Sequence, residues 1–187
     1  AEDSGFRGLQ LTLDDGRPEF SLIHFWPGNA VRIEAIDPIA LQEWTMLTVT
    51  HDGSGRASGL KLFINGVAVP IEVERDQLTR DIRHRAEWGD MNVGQVELGL
   101  GARFRDIGFR DGLVDDLQIF QRQLAAAEVS AIYRTAKPDT PYIDHTSDAI
   151  EEYLISQTPA VQTAIQALHA ARIDEEVGLH VEGTTPT

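Results

Sequence analysis

Apolar and polar residues alternate through most of the first 120 positions, and turn residues interrupt the alternation at short intervals. "GFRGLQLTL" (5–13) runs into "DDGRP", and "EFSLIHFW" (19–26) into "PGN". "AVRIEAI" (30–36) ends at "DP", and "EWTMLTVTH" (43–51) at "DGSGRASG". "LKLFI" (60–64) and "VAVPIEV" (67–73) are joined by Asn65-Gly66, the strongest short hairpin signal. "VELGLGARF" (96–104) and "GLVDDLQIF" (112–120) follow. A period of two sends alternate side chains to opposite faces, so these runs predict around eight short strands. At this spacing the strands predict an all-β, antiparallel β-sandwich or jelly roll.

The period then changes. In "LAAAEVSAIYRTAK" (124–137), Val129, Ile132 and Tyr133 share one helical face. Ala125 stands at the N-cap, where the lack of a Ser or Thr oxygen costs about 1 kcal/mol. "KPDTPYIDHTS" reads as a linker. "DAIEEYLISQ" groups Ile150, Tyr153 and Leu154, and Thr158-Pro159 is a helix start signal. The helix that follows carries Val161, Ile165 and Leu168 and stops near Gly178, with a disordered "EGTTPT" end. The expected division is a β-sandwich with its short terminal helix over 1–137 and an acidic helical hairpin or connector over 138–187.

Charge sharpens that division. Residues 1–137 carry 15 Lys/Arg against 21 Asp/Glu, a net of −6, and residues 138–187 carry 1 against 9, a net of −8. A chain of net charge −14 repels phosphate backbones and anionic lipid, so nucleic acid is not an expected partner. No apolar run approaches the ~18 residues of a membrane span. With no cysteine, disulfides, thiolate catalysis and Cys-based zinc sites are excluded for this chain. The histidines show no H-x-H or H-E-x-x-H spacing.

Candidate ligand residues cluster in "LIHFWPGNAVRI". Sugars present an apolar C–H face and a polar rim, so an exposed aromatic ring beside hydrogen-bonding groups suits them. Trp26 supplies the ring, and His24, Asn29 and Arg32 the polar groups. Trp88 in "AEWGDMN" is a second ring. Arg103 and Arg105 in "GARFRDIGFR" have the guanidinium forks that read sulfate or carboxylate, or neutralise nearby Asp106 and Asp111. Asp52 in "HDGSGRASG" is expected to bond local amides in a glycine-rich hairpin. Glu72, Glu74 and Asp76 alternate in "IEVERD", which predicts three carboxylates on one face of an edge strand.

Three stretches carry a family pattern: "RGLQLTLDDGRPEFSLIHFWPGNAVRIEA", "EWTMLTVTHDGSGRASGLKLFINGVAV" and "FRDGLVDDLQIFQRQLAAAEVSAIY". Together they resemble the laminin-G-like domain of the concanavalin-A-like lectin/glucanase superfamily, over roughly residues 5–135. The "WPGNA" insert and the helical tail resemble the version embedded in large exported bacterial proteins with planctomycete-type cytochrome c domains.

The resemblance implies two packed antiparallel sheets, one concave, and a role in binding glycans or proteins rather than catalysis. It implies an extracellular, periplasmic or cell-surface location, with flanking domains of the parent protein as neighbours. Such domains begin with further strands upstream of "RG-x-x-L", so it also implies an incomplete sheet, or an edge that pairs with a partner. Trp44 matches the family's core tryptophan. Asp115 matches a strand aspartate that ties its strand to loop backbone. Rim calcium sites occur in the superfamily, which makes Asp115 and Asp52 candidate calcium ligands, although no cofactor is required. Glucanases of the superfamily carry paired carboxylates on one strand. Glu72 and Glu74 depart from that order of residue types, so a glucanase is the lesser alternative. A second alternative is a structural module that orients flanking domains or self-associates through a sheet edge or the helical tail.

Overall fold

The computed structural model describes residues 7–83, 98–101, 108, 111–138, 147–164, 166–168 and 170–171. Among these described residues seven strands run in chain order: β1 (Gly8–Asp14), β2 (Arg17–Phe25), β3 (Asn29–Ala35), β4 (Leu47–His51), β5 (Leu60–Ile64), β6 (Val67–Ala68) and β7 (Ile71–Asp76). A 3₁₀ turn, η1 (Ala57–Gly59), precedes β5, and helices α1 (Ala126–Ala136) and α2 (Ser147–Ser156) follow. One sheet has the order β1-β2-β3-β7 and the other β4-β5-β6. The fold is therefore antiparallel β with a helix after the strands, as the alternation predicts.

The chain divides into two compact units: residues 1–43, 49–62 and 70–123 form one, and residues 44–48, 63–69 and 124–187 the other. In the first, Phe20, Leu22, Val31, Ile33 and Ala35 are buried on one face of the four-stranded sheet. Leu60, Leu62 and Ala57 add to this unit's core. The β1–β2 turn is Asp15-Gly16, and both residues have positive φ (47° and 80°). Asp14 pairs with Arg17 across it.

The second unit is built on the Asn65-Gly66 hairpin. Both residues have positive φ, 52° and 81°, as a type I′ turn requires. Asn65 Oδ1 accepts from the Met46 amide (3.0 Å), and the Asn65 amide donates to Met46 O (2.9 Å). Helix α1 packs on the turn so closely that a Cβ on Gly66 would sit 3.0 Å from Tyr133 Cβ. Ser130, fully buried, donates its hydroxyl to Gly66 O at 2.7 Å. Phe63, Leu124 and Val129 form the core beside it, with Met46, Ala126 and Ile132 against them. The predicted Val129–Ile132–Tyr133 face is the face that packs. The poor N-cap at Ala125 is offset from the other side: Glu128, at N3, accepts from the Ala125 amide at 2.9 Å.

Several expected elements differ. "VAVPIEV" is not one strand. Pro70 has no N–H to give to a ladder, and β6 and β7 on either side of it join different sheets. The expected strand over 112–120 does not form; these residues are irregular and exposed. Asp111 and Asp116 sit at φ 54° and 53°, in the left-handed region, which interrupts an extended run. Residues 98–101 are also outside any strand, and the rest of "VELGLGARF" lies outside the described residues. Trp44, implied to be core, is 64% exposed. It precedes the start of β4 at Leu47, where strand alternation does not yet govern its direction. In α2, Ile150 and Leu154 are exposed and only Tyr153 is half-buried, so that apolar stripe is not a packed face. Residues 159–164 and 166–168 are helical after a turn in which the Thr158 amide donates to Ile155 O (3.0 Å). Ile165, Gly178 and the C-terminal "EGTTPT" lie outside the described residues.

Candidate functional site: a polar face on the four-stranded sheet

Strand register sorts the side chains of this sheet into two faces. Thr12 pairs with Glu19, Glu19 with Glu34, and Glu34 with Glu72. One row of three glutamates therefore crosses β2, β3 and β7, with Thr12 at its β1 end. The next row holds Gln10, Ser21 and Arg32. Cα partners present their side chains to the same side, so both rows lie on the face opposite Val31 and Ile33. Between Arg32 and Ile33 the register against β7 shifts by one residue. Glu74 shares the polar face with Glu72 by alternation, and past this extra residue the alternation of β7 is reset, so that Asp76 comes to pair with Val31.

Hydrogen bonds fix this face. Arg32 donates Nε–H to Ser21 Oγ (2.9 Å) and pairs through Nη1 with Glu19 (3.2 Å) and Glu74 (3.3 Å). Its guanidinium lies over the Trp26 ring, 3.6 Å from the centroid, in cation–π geometry. Thr12 donates its hydroxyl to Glu19 Oε1 (3.0 Å). Arg17 pairs with Glu34 Oε2 at 3.0 Å. A cleft of about 480 Å³ opens over the face, lined by Asp14, Glu19, Arg32, Glu34, Glu72, Val73 and Glu74.

The cleft is electrostatically uneven. It holds five carboxylates, against which Arg32 and the neighbouring Arg17 are set. The Glu34 side chain is only 13% exposed, and its Oε1 is buried with no hydrogen-bond partner. Burial raises the Glu34 pKa above the ordinary glutamate value. Arg17 opposes that rise, and the like charges of Asp14, Glu19 and Glu72 add to it.

The residues expected to bind a ligand fall into three groups. Arg32 and Trp26 are brought together at the end of this face, with one face of the indole already occupied by the guanidinium. His24 and Asn29 are committed to the fold. His24 Nδ1–H donates to Asp81 O (2.7 Å), at the residue where β2 shifts register against β3. Asn29 Oδ1 accepts from the amides of Thr79 (3.0 Å) and Arg80 (3.3 Å), and its Nδ2 donates to Thr79 Oγ1 (2.7 Å). It ties the segment that follows β7 to the start of β3. Trp88, Arg103 and Arg105 lie outside the described residues. Glu19, Glu34, Asp14 and Ser21, by contrast, are not singled out by sequence reasoning. Their signal is present all the same: polar residues recur at alternate positions in "GLQLTLD", "EFSLIH" and "VRIEA".

The glycine-rich hairpin has the local bonding expected of it. Asp52 Oδ1 accepts from the Ser54 amide (2.7 Å), Ser54 Oγ from the Arg56 amide (3.1 Å), and His51 Nε2 from the Gly55 amide (3.1 Å). Gly59 lies so close beneath Asp52 and Ser54 that no Cβ fits there. Asp115, expected within a strand, is exposed in the irregular segment and accepts from the Asp116 amide at 2.8 Å. Asp76 does not join Glu72 and Glu74 in the cleft; the bulge turns it to accept from the Ala57 amide (3.0 Å). Among the described residues, no group of three His, Asp or Glu side chains converges closely enough to hold a metal ion.

Comparison with protein families agrees with this architecture. A laminin-G family profile, described as the concanavalin A-like lectin/glucanases superfamily, matches residues 1–130. The chain belongs to that superfamily. No curated protein sequence matches it. A solved structure similar to it is that of an S-layer domain-containing protein (residues 221–444) from Clostridium thermocellum ATCC 27405, at 20% identity and a TM-score of 0.33. The match covers 71% of this chain and 59% of that one. No helix among the described residues is long and apolar enough to cross a membrane.

Proposed function

We propose that the chain is a non-catalytic recognition module of a larger exported protein, binding carbohydrate in the polar cleft of the β1-β2-β3-β7 sheet. The observation that carries this reading is the cleft itself. It is a strand-built floor of pre-positioned acceptors and donors, with the Trp26–Arg32 stack at one end. Sugar hydroxyls need such groups held in fixed directions, and ordering them beforehand lowers the entropic cost of binding. Superfamily membership supports the same class of ligand. A placement beside other domains, such as the planctomycete-type cytochrome c domains of the exported proteins whose laminin-G-like module and helical connector this chain resembles, and an extracellular, periplasmic or cell-surface location belong to this proposal.

A glycan array probed with the intact chain tests it. Binding that falls at least tenfold in Trp26→Ala and Glu72→Gln is expected, and no binding above background would sink the reading. Glu74 is held by Arg32, which fits a binding surface better than a free nucleophile. Turnover of a β-glucan that disappears in Glu74→Gln would replace binding by catalysis.

One observation favours a second reading, self-association. Among the described residues strand β1 is a sheet edge, and Leu9, Leu11 and Leu13 along it are 53%, 45% and 40% exposed. Light scattering decides it: a strict monomer at high concentration removes it.

A further inference from the structure

The Glu19–Glu34–Glu72 row is an unusual use of a sheet. Like charges directly opposite one another on neighbouring strands are destabilising, and here three stand side by side. The outer members have relief. Glu19 receives Arg32 and the Thr12 hydroxyl. Glu72 lies on β7, an edge strand among the described residues, and is exposed. Glu34 is between them, on β3, with its Oε1 buried and unpartnered. The charged groups facing it are Asp14 from β1, Arg17 and Glu19 from β2, Arg32 on β3 itself, and Glu72 and Glu74 from β7. A buried carboxylate oxygen without a donor is costly while the group is ionised, and a proton lowers that cost by removing the charge.

We propose that the cleft is regulated by a proton on Glu34: taken up from solvent onto Oε1, it neutralises the middle of the glutamate row and resets the charge that a bound ligand meets. This rests on the reading of the cleft as the ligand surface. The exchange is simple: the carboxylate and one solvent proton give the neutral acid, Oε2 keeps Arg17, and Oε1 carries the hydrogen. The rise in the Glu34 pKa caused by burial agrees with this geometry. With Glu34 ionised, the cleft disfavours anionic sugars. With it protonated, one negative charge fewer stands in their way, while neutral sugars meet little change.

Carbon-detected NMR titration of the side-chain carboxyls reads the proton site without any ligand. Glu34 should titrate above the chain's solvent-exposed glutamates, and its midpoint should fall in Glu72→Gln, which folds with only an exposed edge residue changed. A Glu34 midpoint at or below that of the exposed glutamates overturns the proposal. The second arm measures the affinity of a uronate oligosaccharide and a neutral hexose oligosaccharide on both sides of the Glu34 midpoint. Affinity for the uronate should rise about fivefold on the acidic side, as removing one nearby charge in water requires. In Glu34→Gln that pH dependence should vanish. Equal uronate affinity on both sides overturns the regulation. A raised Glu34 midpoint with no sugar bound at any pH supports the proton site and removes the carbohydrate reading instead.

Discussion

Replacing Arg32 by methionine tests the polar face most directly. The substitution keeps an unbranched stem that can rest on Trp26 and removes the guanidinium. Three interactions go: the bond to Ser21 Oγ, the pair with Glu19 and the pair with Glu74. The Arg32 and Glu19 side chains are 14% and 11% exposed, so theirs is close to a buried pair, and removing one partner of a buried pair costs about 3–5 kcal/mol. Thr12 still donates to Glu19, which moves the expectation to the lower end of that range. Glu74 is 47% exposed, so its pair adds about 1 kcal/mol at most. The lost cation–π contact, worth about 1–2 kcal/mol, is largely replaced by a thioether–indole contact of about 1 kcal/mol. The expected loss is therefore about 3 kcal/mol, read as a lower urea midpoint and a Tm lower by roughly 6–12 °C for a chain of this size. A double-mutant cycle with Glu19→Gln isolates the pair, since a neutral amide in place of the carboxylate leaves no orphaned charge. Arg32→Met should cost at least about 1 kcal/mol less in that background. A loss below about 1 kcal/mol, equal in both backgrounds, would refute the account of a locked polar floor.

Other expectations follow from the same geometry. Glu34→Gln should raise stability at neutral pH and flatten its pH dependence. The native state holds the Glu34 proton more tightly than the unfolded chain, so stability falls as pH rises from the ordinary glutamate value, 4.5, through the raised native one. Thermal melts of both proteins across pH check the sign. Ser130→Ala leaves the buried Gly66 carbonyl without its 2.7 Å donor and should cost about 1–3 kcal/mol in urea unfolding. Phe63→Ala opens a cavity in the helix-capped core and should cost about 3–5 kcal/mol by the same assay. Gly59→Ala forces a Cβ into Asp52 and Ser54 and should cost about 1–3 kcal/mol, with Gly59→Ser no better tolerated, in differential scanning fluorimetry.

The strands and hairpins are legible in the sequence because short-range rules govern them. Alternation places β1, β2, β3 and β5, Asn65-Gly66 places the β5–β6 turn, and the 3.6-residue period places Val129, Ile132 and Tyr133 on the packed face of α1. The site is only half legible. Arg32 and Trp26 can be named from their chemistry, but their stacking depends on how far β3 runs past the turn. The glutamate row is invisible, because it is made by register: Glu19, Glu34 and Glu72 are far apart in the chain and meet only through strand pairing. Alternation puts Glu74 beside Glu72, but a one-residue bulge takes Asp76 off the cleft face. The bonding of Asn29 is hidden for a related reason. An amide beside a tryptophan suits a sugar, and nothing local reveals that its oxygen is taken by two backbone amides some fifty residues away.

The position of β7 has a consequence for how this sheet assembles. β1, β2 and β3 are joined by tight turns and can zip in sequence, each closing a short loop. β7 reaches β3 only after residues 36–70 have been laid down, since Ala35 pairs with Ile71. Closing a loop of that length costs about 3 kcal/mol in chain entropy. The pairing that repays it is short and bulged, and among the described residues it lies at a sheet edge. β7 is thus the natural last strand to dock and first to fray, and amide exchange should be slowest in β2 and β3 and fastest in β7. The wall of the cleft that carries Glu72 and Glu74 would then come and go on its own timescale, while the floor beneath it stays closed.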